Sequence, residues 1–490
     1  MEKISIKGRH FVDASGRQRI FNGVNLVHKG TPVEGQYRKD YFPVWPDDMF
    51  RQLAALGVNL VRFGLIWDAV EPQPDHYDDA YLAHMARYID LCAENGIYVY
   101  LDMHQDLYAA AYSDGAPDWA VIHDGYPHKK TRFIWAESYF IDKATHRALD
   151  HFWANTPIRG KGLQEHFADM WCHVASFFAD KPNIIGYDVF NEPLPGTDSG
   201  RIFRETIRHG IGVILSRKVP KLATLRKLKT EDFVPAILSA VDDPAVFRDL
   251  TSGGDMLNLK FCVDTYYPFL QSLALRLRAV APDKIIIMEN SYWSNTSMPW
   301  PIPYLREADG ARMANVAFAP HGYDITVDSP YTNTAGNSRV QTIFDAHAKT
   351  QDRLDVPVIV GEWGGMVPGS EEYPHLEFLL KYFDDHQWSQ TYWAFAPDFA
   401  ESKIMQIIAR PYPIAVNGEI ERYGFDRDNS TFRLVYDCAF PRKGGKTIVW
   451  TPTEPRKVTG SRCTVEQQSD GSWQVSFLNN KGRNEIEVCL

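Results

Sequence analysis

The stretch PDDMFRQLAALGVNLVRFG, residues 46–64, contains one complete helix-to-strand unit. Pro46 and two aspartates begin a predicted helix, an apolar stripe follows, and Gly57 ends it. Residues 59–63 then have the apolar, β-branched composition of a buried strand. An alternation of this kind, repeated along a chain, is typical of a parallel α/β fold.

The same alternation recurs through most of the chain. Strands are predicted over residues 20–26, 59–63, 98–103, 184–190, 284–288, 316–319, 358–360 and 390–394. Helices are predicted between them, among others over residues 47–56, 79–95, 162–178, 265–280, 338–354 and 373–385. Because the strands number eight, we expect an α/β fold of the closed (β/α)8 TIM barrel type rather than an open sheet.

The pattern changes after residue 405. The sequence Arg410-Pro411-Tyr412-Pro413 has the composition of a linker or of the entry to a new domain. Beyond it, apolar and polar residues alternate with a period of two over residues 431–437, 446–452, 472–478 and 484–490. We therefore predict a (β/α)8 barrel domain over residues 1–405 and a C-terminal antiparallel β-sandwich domain over residues 406–490.

The composition argues against several classes of protein. The 490 residues carry a net charge of −10, which disfavours nucleic acid as a partner. The chain contains no apolar run long enough for a membrane span, and its N-terminus lacks the apolar stretch of a signal peptide. The cysteines show no metal-ligand spacing. Cys92 and Cys172 are expected to be buried thiols, and a disulfide among Cys438, Cys463 and Cys489 stays open.

Two glutamates follow predicted barrel strands. Glu192 follows the fourth strand in Phe-Asn-Glu-Pro, and Glu362 follows the seventh strand in Gly-Glu-Trp-Gly. Barrel enzymes carry their chemistry at the C-terminal ends of the strands. Retaining glycosidases need two carboxyl groups about 5–5.5 Å apart, one as proton donor and one as nucleophile. The pair therefore predicts a retaining glycosidase, with Glu192 as the acid/base and Glu362 as the nucleophile.

Further polar and aromatic residues are predicted at the same ends of the strands. Arg62, at the end of strand two, is expected to keep the nucleophilic carboxylate ionised. Asn191 is expected to bind the sugar 2-hydroxyl, and Trp393 after strand eight to form the floor of the sugar site. Candidates for binding sugar hydroxyls or holding a glutamate follow strands three and six, namely His104, Asp106, His321 and Tyr323.

A metal site is the alternative for some of these residues. Asp102, His104, Asp106 and His321 could be drawn as a set of ligands in a barrel. No further ligand with similar spacing follows another strand, and the two glutamates would then have no role. The paired glutamates therefore favour a glycosidase over a metal-dependent hydrolase.

The motifs resemble glycoside hydrolase family 5 over nearly the whole chain. The resemblance rests on NGVNLV at 22–27, VRFGLIWDAVEP at 61–72, FNEP at 190–193, HGYD at 321–324 and GEWG at 361–364. Within the family, the chain is most similar to the endoglycoceramidases, because of HQDLY at 104–108, Lys29 in NLVHKG, and RPYP before the β-sandwich.

The resemblance implies hydrolysis of the β-glycosidic bond between an intact oligosaccharide and ceramide in glycosphingolipids, with no metal or organic cofactor. It also implies that the sugar next to ceramide is contacted by Lys29, His104, Asp106, Asn191, Tyr323 and Trp393. It implies a secreted or extracellular protein, for which this N-terminus shows no signal, and we expect a monomer. The preferred glycan series stays open.

Two stretches suggest contact with lipid. Residues 104–159 form a long aromatic-rich segment after strand three, which could roof the sugar cleft or line a channel for acyl chains. Residues 215–230 carry six basic side chains and no acid, and could hold the cleft against an anionic bilayer or simply form a solvated helix face. A glucanase or mannanase acting on soluble polysaccharide and a non-catalytic glycolipid-binding protein remain alternatives.

Overall fold

A closed parallel barrel forms the larger part of the molecule. The computed structural model describes residues 1–35, 38–131, 135–216, 238–239, 241–366, 369, 373–441, 443 and 445–490. The barrel strands, numbered one to eight along the chain, are Asn22–Val27, Leu60–Ile66, Tyr98–His104, Ile184–Asp188, Ile285–Glu289, Val316–Ala319, Ile359–Val360 and Ser389–Tyr392. Strands one to six each neighbour the next in the sheet, strand seven neighbours strand eight, and strand eight pairs with strand one. Phe318 N–H donates to the carbonyl of Pro357 at 3.0 Å, which closes strand six on strand seven and confirms the predicted (β/α)8 fold.

Helices connect the strands and bury one face against them. Helix Asp48–Ala55 buries Met49, Phe50 and Leu53, and ends before Gly57, whose positive φ of 77° is readily adopted by glycine. The helices in the described part of the chain are Asp48–Ala55, Trp67–Val70, Asp79–Glu94, Ser138–Ile141, Lys143–Trp153, Leu163–Phe177, Thr197–Ser216, Pro244–Thr251, Asp255–Phe261, Tyr267–Val280, Asn337–Leu354, Tyr373–Asp385 and Lys403–Ile408. Two of these, Ser138–Ile141 and Lys143–Trp153, lie in the aromatic-rich segment 104–159, for which no helix was predicted.

Two antiparallel sheets form the C-terminal part and share one apolar core, as the sandwich prediction requires. The four-stranded sheet contains, in spatial order, Glu419–Asp426, Thr431–Cys438, Gly482–Cys489 and Lys457–Thr459. The seven-stranded sheet contains Ser5–Lys7, His10–Val12, Gln18–Arg19, Tyr412–Val416, Thr447–Thr451, Trp473–Phe477 and Cys463–Gln467. Three N-terminal strands thus belong to this sheet, which the sequence did not indicate. The domain boundary at residue 405 stays a prediction.

The N-terminal strands also pack against the barrel. Ile4 and Phe11 lie in one buried cluster with Phe21, Leu60 and Tyr98, which are at or before the beginnings of barrel strands. They therefore cover the end of the barrel opposite to the glutamates.

The cysteines and the helices answer two further questions raised by the sequence. All six cysteines are free thiols, so the disulfide considered for the C-terminal part is not formed. None of the helices in the described ranges is long and apolar enough to cross a membrane.

Candidate active site

The structure brings Glu192 and Glu362 together at the mouth of the barrel. A carboxylate oxygen of each and a ring nitrogen of His321 all lie within 4.8 Å of one another. This spacing leaves no room for a water between the two carboxyl groups, as an inverting glycosidase would require. The geometry fits a retaining pair.

Glu192 is held at both its backbone and its side chain. Its φ of 45° is left-handed, which is uncommon for a residue other than glycine. Its N–H donates to Glu289 Oε2 at 2.7 Å, and its Oε1 accepts from Asn295 Nδ2 at 2.7 Å and from His321 Nδ1 at 3.1 Å. In the described part of the chain, the other carboxyl oxygen of Glu192 has no hydrogen-bond partner.

Glu362 has a hydrogen bond at each oxygen. Arg62 Nη1 donates to Oε1 at 2.6 Å, and the Tyr323 hydroxyl donates to Oε2 at 2.8 Å. The two donors fix the orientation of the carboxylate, which a nucleophile needs in order to meet the anomeric carbon at the right angle.

Arg62 is the centre of a buried network of acids. It lies within strand two rather than at its end, is fully buried, and contacts Asp102 at 3.0 Å, Asp188 at 2.9 Å and Glu289 at 2.5 Å, besides Glu362. Burial, followed by the nearby charge of Glu289, raises the pKa of Asp188 well above its usual value.

Burial and neighbouring charges shift the pKa values of Glu192 and His321. Burial is the largest cause that raises the pKa of Glu192, and the charge of Glu362 adds to it. Burial also opposes a charge on His321, but Glu289 and Glu362 outweigh it and raise the pKa of the imidazole well above its usual value. A charged His321 donates to Glu192 and partly offsets the rise in the pKa of Glu192.

The sugar-facing side contains four of the predicted residues. Lys29 forms an ion pair with Asp106, and its ammonium group lies 4.9 Å from the centre of the Trp393 ring. The His104 ring is stacked on Trp393 with 5.1 Å between centroids, and His104 Nδ1 donates to Asp102 at 2.8 Å. Burial opposes a charge on His104, but Asp102 and Asp106 raise its pKa to about 10. These groups offer an aromatic floor with charged hydrogen-bond partners for hydroxyl groups.

Asn191 lies deeper than expected. Its Oδ1 accepts from Arg62 Nη2 at 2.9 Å, and its Nδ2 donates to the carbonyl of Gln105 at 3.0 Å. The side chain is thus tied into the Arg62 network, and its predicted contact with the sugar 2-hydroxyl stays a prediction.

The glutamates open into a cavity of about 550 Å³ with two chemically different sides. One side is polar and aromatic and contains Lys29, His104, Asp106, Tyr323 and Trp393. The other side is apolar and is built from the segments that follow strands three to six, with Phe140, Phe203, Phe247, Leu250, Trp293 and Ile325. Trp135 and Phe140 come from the aromatic segment after strand three, as the sequence predicted for that stretch.

Three functional neighbours of the glutamates were missed in the sequence. Glu289 is the last residue of strand five, so the rule that selected Glu192 and Glu362 would also have found it. Asp188 was overlooked because the predicted strand ran to residue 190, whereas in the structure Asp188 is the last residue of strand four. Asn295 lies in a short helical turn at residues 292–296, and no signal in the sequence singles it out.

Several clusters have the spacing of metal ligands, but cations of the chain already lie against them. His104, Asp106 and Asp114 form one cluster, and Lys29 pairs with both of its acids. In a second cluster, Glu192, His321 and Glu362, the guanidinium of Arg62 contacts Glu362. These donor sets therefore fit internal ion pairs better than a bound metal ion.

Comparisons with known proteins agree with this geometry. The family model for cellulase (glycosyl hydrolase family 5) matches residues 12–242 and 254–398, and that for the glycoside hydrolase family 5 C-terminal domain matches residues 410–488. An endoglycoceramidase of Hydra vulgaris is 30% identical over 90% of this chain and 78% of its own length. Endoglycoceramidase I of Rhodococcus hoagii is 25% identical over 98% of this chain and 89% of its own length.

Two further matches complete the comparison. An endoglycoceramidase of Cyanea nozakii is 33% identical, over 38% of this chain and 41% of its own length. The solved structure of endo-glycoceramidase II from Rhodococcus sp. in complex with ganglioside GM3 superimposes with a TM-score of 0.73 at 23% identity, over 99% of both chains. The fold of that structure is therefore the fold of this chain along its whole length.

Proposed function

This chain belongs to glycoside hydrolase family 5, and we propose that it hydrolyses the β-glycosidic bond between the oligosaccharide and the ceramide of glycosphingolipids. Family membership makes the protein a glycosidase. The observation that carries the choice of linkage is the two-sided cavity, in which the paired glutamates lie between a polar sugar-binding side and an apolar side.

The reaction proceeds in two steps with retention of configuration. Glu362 attacks the anomeric carbon while Glu192 donates its proton to the ceramide oxygen, so that ceramide leaves and a glycosyl–enzyme ester forms. Glu192, now a carboxylate, removes a proton from water, which displaces Glu362 and releases the sugar in the β configuration. The burial that raises the pKa of Glu192 keeps it protonated for the first step.

The apolar side of the cavity distinguishes a lipid leaving group from a polysaccharide. A chain of sugars would need hydroxyl-binding groups on both sides of the glutamates. Here the leaving-group side is lined mainly by Phe203, Phe247, Leu250 and Trp293, with the hydroxyl groups of Thr206 and Thr251 beside them, and of the four apolar residues only Trp293 carries a hydrogen-bond donor. That indole nitrogen donates to Ser199 at 3.1 Å and is therefore already engaged. Burial of acyl chains against such a surface is favourable, whereas burial of sugar hydroxyls there is unfavourable because they lose their hydrogen bonds to water.

Contact with a membrane surface is part of this proposal. Helix Thr197–Ser216 lines the cavity with Phe203 and exposes Ile207, Ile211 and Leu215 along one side. Exposed apolar side chains near a lipid cavity favour shallow insertion between head groups. The basic side chains predicted to contact an anionic bilayer lie outside the described residues, so that contact stays a prediction: Lys221, Arg226, Lys227 and Lys229. Flotation of a variant with these four residues changed to Gln on anionic vesicles tests it, and undiminished binding would rule out their role.

The proposed function is tested with glycolipids and glucans in parallel. The protein is incubated with lactosylceramide, a ganglioside and soluble β-glucans in mild detergent, and the products are identified by mass spectrometry. We expect intact oligosaccharide and free ceramide from the glycolipids, and none from Glu362→Gln. Cleavage of glucans alone would contradict the proposed linkage and place the enzyme among polysaccharide hydrolases of the same family.

The roles of the two glutamates are separated with an aryl β-lactoside whose leaving group needs no protonation. Glu192→Gln should release a burst of the aryl alcohol and then stall, and azide should restore turnover by yielding a β-glycosyl azide. Glu362→Gln should give no burst. A burst in Glu362→Gln would show that the assignment is reversed or wrong.

A further inference from the structure

A second cavity of about 560 Å³ lies beside the active site and takes no part in the proposed reaction. It is enclosed by the loops that follow barrel strands one, two and three. Its wall adjoins the sugar-binding side, because Lys39, which lines it, donates to the carbonyl of Lys29 at 3.4 Å and also to the carbonyl of Ser113. We call it the distal cavity.

The two sides of the active site determine what can reach the distal cavity. The apolar side, which would hold the lipid, is built mainly from segments that follow strands three to six. The polar side is built from residues that follow strands one, three, six and eight, among them Lys29 and Asp106. A glycan with ceramide on the apolar side must extend over the polar side, and the distal cavity lies where it would continue.

The lining of the distal cavity suits a sugar. Trp119 lies in its wall, half-buried, and its indole N–H donates to the carbonyl of Glu71 at 3.1 Å, which fixes the plane of the ring. Pro72 and Pro74 form a stiff apolar border, while Gln73 and Asp118 supply an amide and a carboxyl group for hydroxyls. An aromatic face beside a few polar groups is the usual form of a small-molecule site.

The charges of the distal cavity favour an acidic sugar. Arg38 is paired with Asp68 at 3.6 Å, and the carboxylates of Asp68 and Asp114 lie near Lys39, so acids of the chain offset both of these cations. Arg159 is exposed in the lining and has no hydrogen-bond or ion-pair partner among the described residues. A guanidinium fork without a partner is well suited to a carboxylate.

We propose that the distal cavity binds a carboxylate-bearing sugar beyond the first two sugars of the glycan, with Arg159 facing its carboxylate. This inference rests on the proposed function, because it takes the reducing end of the glycan to lie at Glu362. It makes the enzyme selective for acidic glycolipids over neutral ones with the same core.

The test compares substrates that differ only in the distal sugar. The probes are lactosylceramide, its sialylated form, and the methyl ester of the sialylated form, all with the same ceramide. We expect kcat/KM for the sialylated form to exceed that of the other two by about two- to fivefold, as one exposed charge pair provides. In Arg159→Gln this preference should disappear, with kcat/KM for lactosylceramide unchanged, and Arg159→Lys should keep part of it.

Arg422→Gln is the matched control, since Arg422 is an equally exposed arginine in the C-terminal sheet. Equal rates for the three probes in the wild type, or a preference that survives in Arg159→Gln, would overturn the distal-cavity assignment while leaving the proposed function intact. Failure of the wild type to cleave any of the probes would instead refute the proposed function.

Discussion

Replacement of His321 by glutamine should move the alkaline limb of the pH–rate profile to higher pH. His321 Nδ1 lies 3.1 Å from Glu192 Oε1 and carries a positive charge, which favours the ionised form of Glu192. The variant keeps a donor of similar reach but loses the charge. The pKa of Glu192 therefore rises, and since the first step needs Glu192 protonated, activity should persist to higher pH.

The size of the shift follows from the contact that is lost. A hydrogen bond to a charged group contributes about 1.5–3 kcal/mol, and the exchange of a charged donor for a neutral one removes about half of that. Because about 1.36 kcal/mol corresponds to one pKa unit, the limb should move by about 0.5–1 unit. The assay is kcat/KM for lactosylceramide measured across the pH range, and kcat itself should also fall because His321 lies 3.6 Å from Glu362.

His347→Gln provides the control for replacing a buried histidine. His347 is as buried as His321 and hydrogen-bonds to the carbonyl of His321 at 3.0 Å, but burial lowers its pKa to about 3 and it is uncharged. The alkaline limb of His347→Gln should therefore lie at the same pH as that of the wild type. If folded His321→Gln has its alkaline limb at the same pH as the wild type or at a lower pH, the proposed effect of His321 on the pKa of Glu192 is refuted.

Three further predictions concern the cavity and the domain contact. Trp393→Ala removes the ring that stacks on His104, and kcat/KM for a soluble aryl lactoside should fall by about 10-fold or more; a fall below twofold would contradict its place in the sugar site. Phe247→Asp puts a charge into the apolar side, so kcat/KM for lactosylceramide should fall by about 10–100-fold while the aryl lactoside is spared; equal losses on both would contradict lipid binding there. Arg410→Ala leaves Asp384 buried and unpaired, and should lower the free energy of unfolding in urea by about 3–5 kcal/mol. Recovery in the double variant with Asp384→Leu would confirm that the unpaired charge is the cause.

The strands and helices of the barrel were predictable because each follows from local periodicity. Residues 79–95 were predicted as a helix and form Asp79–Glu94, since the apolar stripe and the cap at Asp78 act within a few residues. The helix Lys143–Trp153 has the same kind of cap at Asp142, but the many aromatics around it concealed its periodicity. The N-terminal strands could not be placed, because their partner strand Tyr412–Val416 is distant in the chain and pairing at that range leaves no local pattern.

The residues of the candidate site likewise fall into those that local sequence could predict and those that it could not. Glu192, Glu362 and His321 were found because each follows a strand, and the closed barrel brings such ends to one mouth. Asn295 was not found because it reaches Glu192 from a loop whose course depends on packing.

The sequence by itself therefore determined the fold class, the number of barrel strands and the two glutamates, since local pattern and strand-end position specify them. Only the tertiary structure decided that Glu192, His321 and Glu362 lie within 4.8 Å of one another, that the backbone of Glu192 is left-handed, and that burial raises the pKa of acids such as Asp188. These properties depend on distance and on exclusion of water, which arise when remote segments pack together.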